Sequence, residues 1–194
     1  EVLYGYSRHV LPEDPAWPDR ISVTGFWYLD APPQWQPPEQ LVRFLAGGPP
    51  PVYVGFGSLD AGRPQETADT AVAALQAVGA RGILLTGWAG LAPTSLPETI
   101  LQIDDVPHNW LFPQVAAVVH HGGAGTIAAA LRAGVPQVSI PFSGDQPFWT
   151  HTIAELGVAP PPIPLKHLNA RRLAKALVQA TTDRSINQNA AVIG

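Results

Sequence analysis

From Pro51 onward, short and nearly continuous apolar runs alternate with stretches whose apolar residues recur at helical spacing. That alternation is the pattern of βα units feeding a parallel sheet. The runs predict strands over 52–56, 82–86, 100–103, 116–120 and 137–141. Their lack of polar alternation places both faces of the sheet under helices. Ala68, Val72, Leu75 and Val78 mark a crossover helix over 64–78, stopped by Gly79. Further helices are predicted over 126–133, ended by Gly134 and Pro136, over 147–156, ended by Gly157, and over 170–180, with Asn169 as N-cap. Ser185-Ile186-Asn187-Gln188 has the makings of one more. The class is α/β, a Rossmann-like parallel sheet flanked by helices.

The first fifty residues break this rhythm. Pro12, Pro15, Pro18, Pro32, Pro33, Pro37, Pro38 and the run Pro49-Pro50-Pro51 interrupt any long helix or central strand. A short strand over 21–25 and a short helix over 38–46, closed by Gly47-Gly48, are the elements expected there. With 194 residues the chain suits one α/β domain. The expected division is a Pro-rich lead or linker over 1–50 and a Rossmann-like domain over 51–194.

Composition narrows the partners. Hydrophobic residues make up 46% and charged ones 13%, and a formal net charge of -4 gives no electrostatic case for a nucleic-acid partner. The absence of cysteine excludes disulfides and thiolate metal sites. No apolar run approaches the roughly 20 residues that span a bilayer, and the opening Glu1-Val2-Leu3-Tyr4-Gly5 does not read as a cleavable signal. A soluble, cytoplasmic protein is the expectation.

In an open parallel sheet, ligands bind beyond the carboxyl ends of the strands. The residues there are Gly57-Ser58, Gly87-Trp88, Asp105-Val106-Pro107-His108, the turn from His121 to Thr126, and Gly144-Asp145-Gln146. The turn Gly122-Gly123-Ala124-Gly125 joins a strand to a helix, so unpaired N–H groups and the positive helix end face the crevice. A diphosphate suits that place, with His121 donating and Thr126 offering hydroxyl and N–H. An NAD-dependent oxidoreductase stays open as an alternative, because Gly123 to Ala128 also satisfies G-x-G-x-x-A and Asp145 follows about twenty residues on. So does a non-catalytic nucleotide-binding module. Against the oxidoreductase, the intervening helix is short and Asp145, followed by Gln146 and Pro147, could serve as an N-cap.

With these residues assembled, the chain resembles the C-terminal, donor-binding domain of the GT-B family-1 glycosyltransferases, above all sterol glucosyltransferases and bacterial antibiotic glycosyltransferases. The likeness runs through Val23-Thr24-Gly25-Phe26-Trp27, Val54-Gly55-Phe56-Gly57-Ser58, Thr86-Gly87-Trp88 and Val106-Pro107-His108-Asn109-Trp110-Leu111-Phe112. It is densest over 120–136, reading HHGGAGTIAAALRAGVP, and in Pro141-Phe142-Ser143-Gly144-Asp145-Gln146-Pro147-Phe148-Trp149.

The resemblance implies half of a GT-B fold, serving an inverting transfer of a hexose from a UDP-sugar, UDP-glucose first, to a hydroxyl of a small lipophilic acceptor such as a sterol. It implies that His121, Gly123, Ala124, Gly125 and Thr126 hold the diphosphate, with Ser58 nearby. Asp145 and Gln146 then meet the hexose hydroxyls, and the backbone of Val106 the uracil edge. Trp88 is the candidate for stacking on the base, an interaction worth roughly 1–3 kcal/mol. Trp110, Phe112, Phe148 and Trp149 are left to packing or an interface. Where plant relatives place an acid for the ribose, this chain has about Ala129. No cofactor beyond the UDP-sugar co-substrate and no metal is implied. The catalytic base and acceptor site are expected in an N-terminal domain outside this sequence, and any peripheral membrane association would come through the parent protein.

Overall fold

The computed structural model describes residues 1–56, 63–86 and 93–194. In chain order the elements are β1 (Val2–Tyr4), β2 (Ile21–Val23), α1 (Glu39–Ala46), β3 (Val52–Gly55), α2 (Pro64–Ala77), β4 (Gly82–Leu85), β5 (Ile100–Ile103) and α3 (His108–Leu111). A 3-10 turn over Phe112–Gln114 leads to β6 (Ala117–His120), α4 (Ala124–Arg132), β7 (Gln137–Ser139) and α5 (Gln146–Glu155). A second 3-10 turn, Leu165–His167, precedes α6 (Ala170–Thr182) and α7 (Arg184–Ile193).

The main sheet runs β5-β4-β3-β6-β7, all parallel. The chain builds outward from β3 to β4 and β5, then returns to lay β6 on the other side of β3. That reversal makes the gap between the carboxyl ends of β3 and β6 the topological switch point. The register pairs Gly55 with His120 there.

Alternation along each strand feeds two cores. Val52, Val54, Leu84, Ala117 and Val119 pack with Ala71, Leu75, Leu173 and Leu177 of α2 and α6. Tyr53, Ile83, Leu85 and Val118 pack with Leu41, Leu111, Phe112 and Ala130 on the opposite face. Gly79, Gly134 and Gly157 end α2, α4 and α5 with positive φ, which glycine alone adopts without strain. Asn169 caps α6 as expected, its side chain accepting from Arg172 N.

Several expectations need correction. The lead contains β1 as well as β2, paired in parallel with Val2 opposite Ile21; a three-residue run carries no periodicity that would reveal it. The junction Asp105-Val106-Pro107-His108 leads into α3 and its 3-10 extension, elements not foreseen in the sequence. The helix after the glycine turn starts at Ala124, two residues earlier than its first polar residue indicated, so Gly125 and Thr126 lie in its first turn. The lead also packs on the rest of the chain. Val10 joins Ile127, Leu131 and Ile153, Tyr6 sits 5.9 Å from Trp149, and Trp35 meets Trp110 edge to face at 5.3 Å.

Candidate functional site

The site begins where β6 ends. Gly122 adopts φ +93, and the Thr150 methyl occupies the place of a Cβ, so a side chain there would be both strained and obstructed. Gly123 is the N-cap of α4 in extended conformation, and a Cβ on it would lie 2.5 Å from His121 Nε2. The imidazole therefore folds over the turn. Among the described residues no side chain caps α4, and its first intrahelical bond is Ile127 N to Gly123 O at 3.0 Å. The N–H groups of Ala124, Gly125 and Thr126 thus precede any intrahelical partner and carry the positive end of the helix dipole.

Beside this helix start lies a cavity of about 600 Å³. Gly125 and Thr126 form one wall, Asp105, Val106 and His108 from the loop after β5 another, and Tyr28 and Asp30 of the lead a third. Three of the expected residues, Val106, Gly125 and Thr126, are thereby brought together. Ala129 also lines the cavity. Beside it Asp30 pairs with Arg132 at 2.7 Å, and the guanidinium sits 4.6 Å above the Tyr28 ring. Sequence reasoning missed Tyr28, Asp30 and Arg132, because nothing local in a Pro-rich lead announces that it will reach across to α4.

Asp145, Gln146 and His121 are not among the residues that line this cavity. The Asp145 carboxylate accepts the Trp149 indole N–H at 3.0 Å, and although Asp145 stands at the N-cap of α5 its side chain caps nothing. Gln146 is buried, and its Oε1 accepts from Phe142 N at 2.7 Å and Ser143 N at 3.1 Å. Its amide nitrogen takes no part in these bonds. Ser58 and Trp88 lie outside the described residues. Phe112 is core, Trp110 and Trp149 are part-buried, and Phe148 is 52% exposed.

The three histidines at the strand ends differ. Burial lowers the pKa of His121, with the Asp145 carboxylate opposing the shift, and among the described residues its buried Nδ1 has no partner. Burial likewise lowers His108, against Asp105; its Nε2 lies 3.2 Å from the Tyr53 hydroxyl and its ring stacks on Phe112 at 4.3 Å. His120, the last residue of β6, is not exposed at all: its ring lies under the turn, its Nδ1 accepting the Gly122 N–H, and burial, with His121 beside it, pushes its pKa down to about 3. Among the described residues no three His, Asp or Glu side chains gather as a metal site.

An uncapped helix start behind a glycine turn, at the switch point of a parallel sheet, is the anion-binding geometry of a Rossmann-like domain. More narrowly, the family model described as erythromycin biosynthesis protein CIII-like, C-terminal domain, matches residues 67–193, and the chain belongs to that family. It is 44% identical over 175 residues to sterol 3-beta-glucosyltransferase UGT80A2 of Arabidopsis thaliana, spanning 90% of this chain and 28% of that protein. In structure it is similar to the glycotransferase of kitacinnamycin, with a TM-score of 0.79 and 25% identity over 98% of this chain and 49% of the other. The glycosyltransferase VinC, solved in complex with DTDP, aligns with a TM-score of 0.64 and 30% identity over 77% of this chain and 38% of its own. All three are glycosyltransferases, which disfavours the oxidoreductase alternative. The chain spans less than half the length of each of these relatives.

Proposed function

We propose that this chain is the UDP-sugar-binding half of an inverting glycosyltransferase that passes a hexose, glucose first, to a hydroxyl of a lipophilic acceptor such as a sterol. The observation that carries the proposal is the uncapped start of α4, opening beside a cavity large enough for a nucleoside. The diphosphate rests on the N–H groups of Ala124, Gly125 and Thr126, on the Thr126 hydroxyl and on His121. The base lies in the cavity against the Val106 backbone, with Trp88 stacking on it and Ser58 near the phosphates. Asp145 and the Gln146 amide nitrogen meet the hexose hydroxyls.

As the glycosidic bond breaks, negative charge gathers on the departing diphosphate. The helix dipole and fixed N–H donors are already aimed at it, so little reorganisation is needed. His121 is neutral in the free protein at pH 7, its pKa lowered by burial. Charge arriving beside it favours uptake of a proton, which turns its hydrogen bond into a charge-assisted one. No cofactor or metal takes part, and the protein works in the cytoplasm. The acceptor and its general base belong to the part of the relatives that this chain does not span.

Calorimetric titration of the 194-residue chain with UDP, dTDP, UDP-glucose and NAD tests the proposal. UDP and UDP-glucose are expected to bind and NAD not, with equal UDP affinity in EDTA and in excess magnesium. In His121→Ala the loss of a charge-assisted bond, worth about 1.5–3 kcal/mol, is expected to weaken UDP roughly tenfold or more. Tight NAD binding, or unchanged UDP affinity in the variant, sinks the proposal.

A further inference from the structure

His120 closes β6 with its ring wholly buried, yet it is not packed like an apolar side chain. Its Nδ1 accepts the backbone N–H of Gly122 at 2.9 Å. A ring nitrogen that accepts carries no proton, so in the neutral imidazole the proton sits on Nε2. Burial, reinforced by His121 and His108, keeps the ring neutral across the working range of pH.

Below Nε2 the sheet stays polar. Gln137 of β7 lies beside the ring, and Ser139 is its register partner across the ladder. Both are buried, at 0% and 1% exposure. Among the described residues, His120 Nε2, both amide atoms of Gln137 and the Ser139 hydroxyl have no hydrogen-bond partner. Unpaired buried polar groups are costly, and such groups are ordinarily satisfied. The arrangement is met if Nε2–H donates to the Gln137 amide oxygen, which sets the imidazole from beneath. The neighbouring strand residues Val118, Val119 and Val138 are apolar, so the polar group is confined to the ground under the glycine turn.

We infer that His120 is a positioning residue for the anion site: its Nε2-protonated imidazole, braced by Gln137, holds the Gly122 N–H inward and so fixes the turn from which the N–H groups of Ala124, Gly125 and Thr126 face the crevice. The inference rests on the proposal that this turn receives the donor diphosphate. His120 touches no ligand, since it has no surface; it acts through the peptide of Gly122, whose φ of +93 leaves the turn few alternatives once that N–H is anchored.

Two substitutions separate the acceptor from the volume. In His120→Asn the amide oxygen falls near the position of Nδ1 and still accepts from Gly122. His120→Leu has a similar branched shape and no acceptor. UDP affinity of the 194-residue chain is measured by calorimetry for both, beside wild type, with melting curves to establish folding. The Leu variant is expected to bind UDP about tenfold more weakly, as for loss of one buried acceptor, and the Asn variant within about threefold of wild type. A folded Leu variant with wild-type affinity overturns the inference, and so does an Asn variant as weak as Leu. Wild type failing to bind UDP overturns instead the donor proposal on which the inference rests. Nitrogen-15 NMR of the wild-type imidazoles reads the role independently of any variant: His120 is expected as the Nε2–H tautomer, and a proton on Nδ1 overturns it.

Discussion

Each of the three strand-end histidines is less basic in the folded chain than in the unfolded one, for which 6.5 is the ordinary value. Between the folded values and about 6.5 the unfolded chain therefore binds more protons, and stability rises with pH. Their contribution is complete above about pH 6.5 and is lost as the pH falls, for His120 down to about 3. One such group changes stability by up to about 1.4 kcal/mol per pH unit. Urea unfolding at pH 7.5 and 5.5 is expected to show a lower midpoint at the acid value, with a smaller drop in His120→Leu. Equal midpoints for wild type at both pH values contradict the buried, neutral assignment. The pair His120-His121 was visible in the sequence, but not that one ring would serve the turn from inside and the other from above.

At the scale of elements, two residues looked alike in sequence and differ in the fold. Asn169 and Asp145 both precede a helical stretch and both suit an N-cap. Asn169 does cap α6, accepting from Arg172 N at 3.0 Å, whereas the Asp145 side chain turns to the Trp149 indole and leaves α5 uncapped. Asn169→Ala is expected to cost about 1 kcal/mol and to lower the melting temperature by about 2–4 °C. UDP affinity should not change, because α6 packs on the sheet face opposite α4. Asp145→Ala is expected to stay within about 0.5 kcal/mol of wild type in stability, as for an exposed polar contact, while weakening UDP-glucose more than UDP. Thermal melts with paired titrations check both; a destabilised Asp145→Ala with unchanged preference for UDP-glucose returns Asp145 to a structural role.

For the whole molecule, the question is whether this chain turns over by itself. A base for the acceptor hydroxyl has to project from the face opposite the leaving diphosphate. Here His120 is buried, His108 is engaged by Tyr53 and Phe112, and His121 lies over the glycine turn. General-base assistance is worth about 10²–10⁴-fold, and positioning of the acceptor adds more. The 194-residue chain with UDP-glucose and cholesterol or ergosterol is expected to form no steryl glucoside by mass spectrometry above a no-protein blank. Product above the blank places a base and an acceptor site within this chain. No helix among the described residues is long and apolar enough to cross a membrane.

The sequence by itself determined the order of βα units, the parallel sheet, the glycine turn and the family, because each is written in local periodicity or in a contiguous motif. Its strand and helix limits shifted by a residue or two, since strand ends depend on pairing with neighbours. Only the tertiary structure decided that β3 and β6 lie side by side, which sets the switch point. It alone decided that Tyr28 and Asp30 reach across about a hundred residues of chain to wall the cavity with Arg132, that Gln146 spends its carbonyl on its own loop, and that His120 looks inward to Gln137. Those contacts join positions far apart in the chain, and side-chain direction at a strand end follows from which elements pack on each face.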